Sequence, residues 1–126
     1  TIPGPGAIAW HSTVVVASVP IPLDYDPAYK SAFRIKVSCG ANGVGNTVRT
    51  ITVKCNGASV GSASVGTGGG VIAIDTTASF APGDALTVEA THGGEYDGGL
   101  SVSQVQICSA RSTIIPARKV FVETTW

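Results

Sequence analysis

Charge is scarce in this chain. Only 13% of its 126 residues are Asp, Glu, Lys or Arg, and eight acidic residues balance eight basic ones. An average soluble domain carries about 25%. Without a basic excess no face can neutralise a phosphate backbone, so a nucleic-acid partner is excluded. Methionine is absent. No apolar run approaches the ~18 residues of a membrane span, runs such as Val14 to Ala17 being four long, so no membrane partner is expected. Cys39, Cys55 and Cys108 are an odd number and contain no Cys-x-x-Cys pair. Neither a disulfide framework nor a zinc site is expected, and the thiols read as small buried hydrophobes. The only histidines are His11 and His92. They give a nucleophile–His–acid site few possible members, and no catalytic residue, metal ligand or cofactor is assigned.

What the chain has instead is hydroxyls, glycine and β-branched residues. There are 12 Ser, 13 Thr and 16 Gly, and 44% of residues are hydrophobic. That much apolar character excludes disorder, and the length allows one domain with a real core. With no net charge the surface lacks self-repulsion. Burying it against other subunits is one way to tolerate that, so a homo-oligomer or larger assembly is expected.

Almost every segment reads with period two. Phe33, Ile35, Val37 and Cys39 alternate with Arg34, Lys36 and Ser38, which predicts a strand with one face in the core. Ile51, Val53 and Cys55 alternate with Thr50, Thr52 and Lys54 in the same way. The turn-rich stretch from Gly40 to Thr47 between them predicts a hairpin that places Cys39 opposite Val48. Asn56-Gly57 predicts a second hairpin through a type I′ turn, returning residues 59–65, with Gly61 marking a bulge. Further strands are expected at 13–19, covered on both faces, and at 71–75, 86–91, 101–108 and 119–123. The fold expected is an all-β antiparallel β-sandwich, a jelly roll of about eight strands. Residues 1–126 form a single domain, with 1–12 as an N-terminal arm and 109–126 as a C-terminal segment.

Two loops carry candidate sites. The run from His92 to Gly99 holds Glu95, Tyr96 and Asp97 among glycines. A sugar can stack on Tyr96 and donate hydrogen bonds to the two carboxylates, and glycine lets a ligand come close. The bland alternative is a solvated turn. Ca²⁺ is disfavoured, because it takes six to eight oxygens and no Asp-x-Asp-x-Asp pattern is present. Tyr25 and Tyr29 sit on a proline-stiffened connector, where ordering on binding costs little. They are candidate partner contacts, weighed against capping an open end of the sandwich. Trp10 and Trp126 are the remaining partner-binding candidates, weighed against core packing.

The run from Asn56 to Val65 resembles strand-turn segments of two groups. One is the carbohydrate-binding modules of β-sandwich type. The other is the jelly-roll domains of bacteriophage particles, both capsid decoration proteins and tail or fibre domains. The stretches 80–88 and 100–107 are similar to both. The resemblance to phage virion accessory proteins implies a non-enzymatic structural subunit that decorates or cements a capsid, or forms part of a tail, by packing against neighbouring subunits. It implies a virion location with assembly in the host cytoplasm, and Thr1 to Gly6 shows no signal-peptide pattern. The alternative is a module that recognises surface glycans.

Overall fold

The computed structural model describes residues 2–21, 23, 33–42, 47–76, 81–95, 98–109 and 124–125. They form nine strands and, among the described residues, no helix. In chain order the strands are β1 (Ile2–Ala7), β2 (Ser12–Pro20), β3 (Phe33–Ala41), β4 (Thr47–Cys55), β5 (Ala58–Ser64), β6 (Gly70–Asp75), β7 (Ala85–Gly94), β8 (Leu100–Ser109) and β9 (Thr124–Thr125). One sheet has the order β1-β8-β3-β6, and the other β2-β7-β4-β5. All pairings among these eight are antiparallel, and β9 lies parallel to the end of β8. The fold is therefore the expected antiparallel sandwich, with the interleaved strand order of a jelly roll.

The alternation that runs through the sequence becomes the two faces of each sheet. Phe33, Ile35 and Val37 on β3 and Val105 and Ile107 on β8 point inward from one sheet. Ile51 and Val53 on β4 and Leu86, Val88 and Ala90 on β7 meet them from the other. These side chains are almost wholly shielded from water, and burying one such aliphatic residue stabilises the fold by about 1.5–3 kcal/mol.

Asn56 and Gly57 both have positive φ, 51° and 87°, as the type I′ turn requires, and they fold β5 back on β4. A bulge falls beside Gly61, where the register between β4 and β5 shifts. The hairpin expected about residues 40–47 does not form. β3 pairs with β6 and β8, whereas β4 pairs with β5 and β7, so the chain crosses between sheets there. Cys39 consequently faces Gly70 and Val102 rather than Val48. Turn residues mark a change of direction equally well for a hairpin and for a crossover, and nothing local distinguishes the two.

Within the expected N-terminal arm, residues 2–7 form an edge strand paired with β8, and Ser12 already opens β2. Pro3 and Pro5 are tolerated because an edge strand has one side of its ladder unpaired. Ser109 closes β8, and the last short strand lies at Thr124–Thr125, while residues 119–123 lie outside the described residues. β2 is not covered on both faces: Val15 is 52% exposed.

Candidate functional site

The registers sort the connections to the two ends of the sandwich. Ala7 pairs with Ser101, Ala41 with Leu100, Ser12 with His92 and Thr47 with Gly94. One end therefore gathers the β1–β2, β3–β4 and β7–β8 connections. Gly68, between β5 and β6, joins them through its amide bond to the Ala41 carbonyl. Here a cleft of about 410 Å³ opens between the sheets, lined by Ala7, Ile8, Ala41, Asn42, His92 and Leu100 among others.

Two polar side chains, cross-strand partners on β4 and β7, are buried under this end. Arg49 is only 5% exposed. Its Nε donates to the Gly99 carbonyl at 2.9 Å, and its Nη2 donates to the Gly98 carbonyl at 3.2 Å and to the carbonyl of Asn42. A planar guanidinium presents several donors in a fixed fork, so one side chain fastens both the β3–β4 and the β7–β8 connections. Gly98 makes the approach possible, because a Cβ there would fall 2.3 Å from Arg49 Nη2 and 2.6 Å from Thr47 Oγ1. His92 is 1% exposed, and its Nδ1 lies 2.9 Å from the Ile8 carbonyl. A carbonyl only accepts, so Nδ1 carries the proton of this bond. His92 thereby ties the β1–β2 connection to β7. It belongs to a strand and is buried, not part of a mobile loop as its glycine neighbours suggest.

Of the glycan candidates, Glu95 is exposed just beyond β7, at the cleft end. Tyr96 and Asp97 lie outside the described residues. Trp10 emerges at the same end. It is 39% exposed and stacked on His11, with ring centroids 4.3 Å apart at 26°. Core packing, the default for a tryptophan, is therefore not its role. Tyr25, Tyr29 and Trp126 lie outside the described residues. β2 and β3, which flank the two tyrosines in sequence, meet the 21–33 connection at the opposite end, so the two candidate loops do not leave from one surface.

That opposite end is fastened differently. Asp84 accepts the Ala81 amide at 2.9 Å and the Asn56 side-chain amide at 3.0 Å, while Asn56 accepts the Ala85 amide at 2.8 Å. These donors, the Ala81 amide first, hold the Asp84 carboxyl below the usual carboxylate range. Cys55 Sγ sits 3.5 Å from the same carboxylate, and burial, followed by that contact, pushes its thiol up. A thiol raised in this way is a poorer nucleophile. Cys39 is likewise pushed up by burial. No disulfide links Cys39, Cys55 and Cys108. Among the described residues no group of three or more His, Cys, Asp or Glu side chains is placed to hold a metal ion.

The outer faces are the other large feature. Across the β2-β7-β4-β5 sheet the registers align Thr13, Thr91, Thr50 and Ser64 in one row. Val15, Glu89, Thr52 and Ser62 form the next, and Ser18, Thr87, Lys54 and Ser59 a third. Thr13 and Thr91 hydroxyls bond at 3.1 Å, and Lys54 Nζ pairs with Glu89 Oε1 at 3.1 Å. The face is a sheet of hydroxyls with one internally neutralised charge pair and two exposed valines, Val15 and Val48.

Sequence reasoning missed Arg49. The signal was present: Arg49 shares the inward parity of Ile51, Val53 and Cys55. No family model matches this chain, and no curated protein or solved structure matches it either.

Proposed function

We propose that this protein is a non-enzymatic structural subunit of a phage-like particle, which decorates or cements a capsid or forms part of a tail. The observation that carries this reading is the outer face of the β2-β7-β4-β5 sheet. It is four strands wide, dominated by Ser and Thr, and its only charges, Lys54 and Glu89, neutralise each other. Docking such a face strips water from few charges, so the desolvation penalty that opposes association is small. Hydroxyls can exchange bonds with water for bonds with a neighbouring main chain. The jelly-roll frame beneath is held by a continuous apolar core and tolerates contact on both faces. The location proposed is the virion, and the partners are other copies of the chain and the shell or tail proteins it lies on.

Co-sedimentation tests this reading. The purified protein is mixed with shells and tails assembled from the proteins encoded beside it, and each mixture is centrifuged. The expected result is saturable pelleting with one of the two, weakened several-fold by Thr50→Glu plus Thr52→Glu on the hydroxyl face. A protein that remains in the supernatant with every shell and tail component overturns the reading.

A second reading is favoured by one observation, a cleft at the same end of the sandwich from which the exposed Glu95 and Trp10 emerge. In that reading the chain is a glycan-binding module, with Trp10 as a stacking surface and Glu95, Tyr96 and Asp97 as acceptors for sugar hydroxyls. A glycan array decides it: the expected result is binding that Tyr96→Ala and Trp10→Ala abolish, and binding indifferent to both removes this site.

A further inference from the structure

Apart from the two-residue β9, the described residues give the sandwich four edge strands, and three of them carry devices that discourage pairing. β1 contains Pro3 and Pro5 and a register shift between Pro3 and Gly6. β2 is bulged between Val15 and Ala17 and ends at Pro20. β5 is bulged between Ser59 and Gly61, opposite Val53 and Lys54. Proline, bulges and edge charge are the usual protections against strand addition. β6 has no proline and no bulge, and its only charge is Asp75 at its end. That carboxylate is occupied, with Arg34 donating from Nε at 2.7 Å and from Nη2 at 3.1 Å.

The ladder phase shows which main-chain groups of β6 face outward. Thr76 donates its amide to the Phe33 carbonyl at 2.9 Å. Phe33 and Thr76 are thus a hydrogen-bonded pair, and by alternation so are Ile35 with Ile74, Val37 with Ile72 and Cys39 with Gly70. Val71, Ala73 and Asp75 then turn their N–H and C=O away from β3. The Asp75 carbonyl faces β5, lying 3.3 Å from where a Cβ on Gly61 would stand. Among the described residues no strand pairs with β6 on this side, and the N–H and C=O groups of Val71 and Ala73 make up its open edge. Above them Val71 is 67% exposed, more than any other large apolar strand residue among those described.

We propose that β6 is a pairing edge through which two copies of this chain join antiparallel about a two-fold axis at Ile72. In this register Val71 exchanges hydrogen bonds with the partner's Ala73, and Ala73 with the partner's Val71, so each outward group on one copy meets its complement on the other. A second copy fits because residues 70–74 carry no charge. Self-pairing therefore juxtaposes no like charges, which is what usually forbids a strand from pairing with itself. The contact is isologous and closes at a dimer. It joins the β6-containing sheets of the two copies into one continuous sheet and covers Val71. The hydroxyl face belongs to the other sheet and stays available. This inference rests on the assembly reading above and names one contact within it.

Sedimentation velocity and amide hydrogen exchange on the intact chain test it. Wild type is expected to sediment at twice the chain mass at high concentration. Ala73→Pro, which removes an outward N–H and no bond to β3, is expected to lose the dimer entirely. Val71→Lys changes only an exposed side chain and is expected to do the same, while Val48→Lys, at another exposed valine, keeps the dimer. The Val71 and Ala73 amides are expected to exchange more slowly as wild-type concentration rises. A wild type that stays monomeric, a dimer that survives Ala73→Pro and Val71→Lys, or amide exchange independent of concentration overturns the pairing. Wild-type monomers that still pellet with shells overturn the pairing alone. Dimers that pellet with no particle component uphold the pairing and overturn the assembly reading.

Discussion

The two ends of the sandwich solve the same problem with opposite chemistry. At the cleft end a buried guanidinium reaches three carbonyls from two connections. At the other end an exposed carboxylate collects amide donors around the Asn56–Gly57 turn. The buried fastening excludes water, so each bond lost there leaves a carbonyl without a solvent substitute. The exposed fastening competes with water at every moment, so each of its bonds contributes little. A cleft between packed sheets therefore rests on the costlier of the two devices.

Substitutions at the two ends can break this contrast. Arg49→Ala is expected to have the largest effect, a loss of about 3 kcal/mol or more, because it strands buried acceptors and opens a cavity. Urea unfolding measures it, and Arg49→Lys should recover little, since an ammonium lacks the fork. Gly98→Ala follows at about 2 kcal/mol, as its methyl displaces the same guanidinium. A loss for either as small as a surface substitution would end the distinction between the ends. Gly57→Ala, at the exposed end, is expected to cost about 1 kcal/mol from its φ of 87°.

The smallest effect expected is a pH dependence. The folded pKa of Asp84 lies below its ordinary value, so its stabilisation is fully present above the unfolded carboxyl range, near pH 4. It fades as pH falls through the lower folded value. Asp75, held down chiefly by its bond from Arg34, behaves alike. Thermal melts between pH 5 and pH 2 should fall less steeply for Asp84→Asn than for wild type. Equal slopes would remove Asp84 from the exposed fastening.

The β-sandwich was legible because period-two alternation reports directly on a strand with one wet face. Phe33 to Val37 and Leu86 to Ala90 carry that pattern without interruption, and the Asn56–Gly57 turn demands a backbone that few other pairs adopt. Pairing was less legible. Whether β3 turns back on itself or crosses to the other sheet is decided by which faces need covering, and residues 40–47 do not encode that. β1 escaped notice because Pro3, Gly4, Pro5 and Gly6 contradict strand propensity, and only the vacant side of β8 makes them a strand. The candidate site was half visible. Glu95 and Trp10 stand at the loop end as exposed groups. Arg49 and His92, which shape that end, look like a charge on a strand and a residue beside glycines until tertiary pairing buries them.

The strand order also governs how quickly the chain can become this structure. Among the described residues, only β4 and β5 are joined by a tight turn within one sheet. That hairpin can close in roughly 1–10 μs. Every other ladder joins strands distant in sequence, and Ile2 must find Val105. Loop-closure entropy is then spent before most contacts form, which places folding in the millisecond-to-second class of non-local β proteins. During synthesis β1 emerges well before β8, and it stays without its ladder until β8 has left the ribosome. The prolines that mark β1 as an edge in the finished sandwich also keep it from pairing wrongly during that wait.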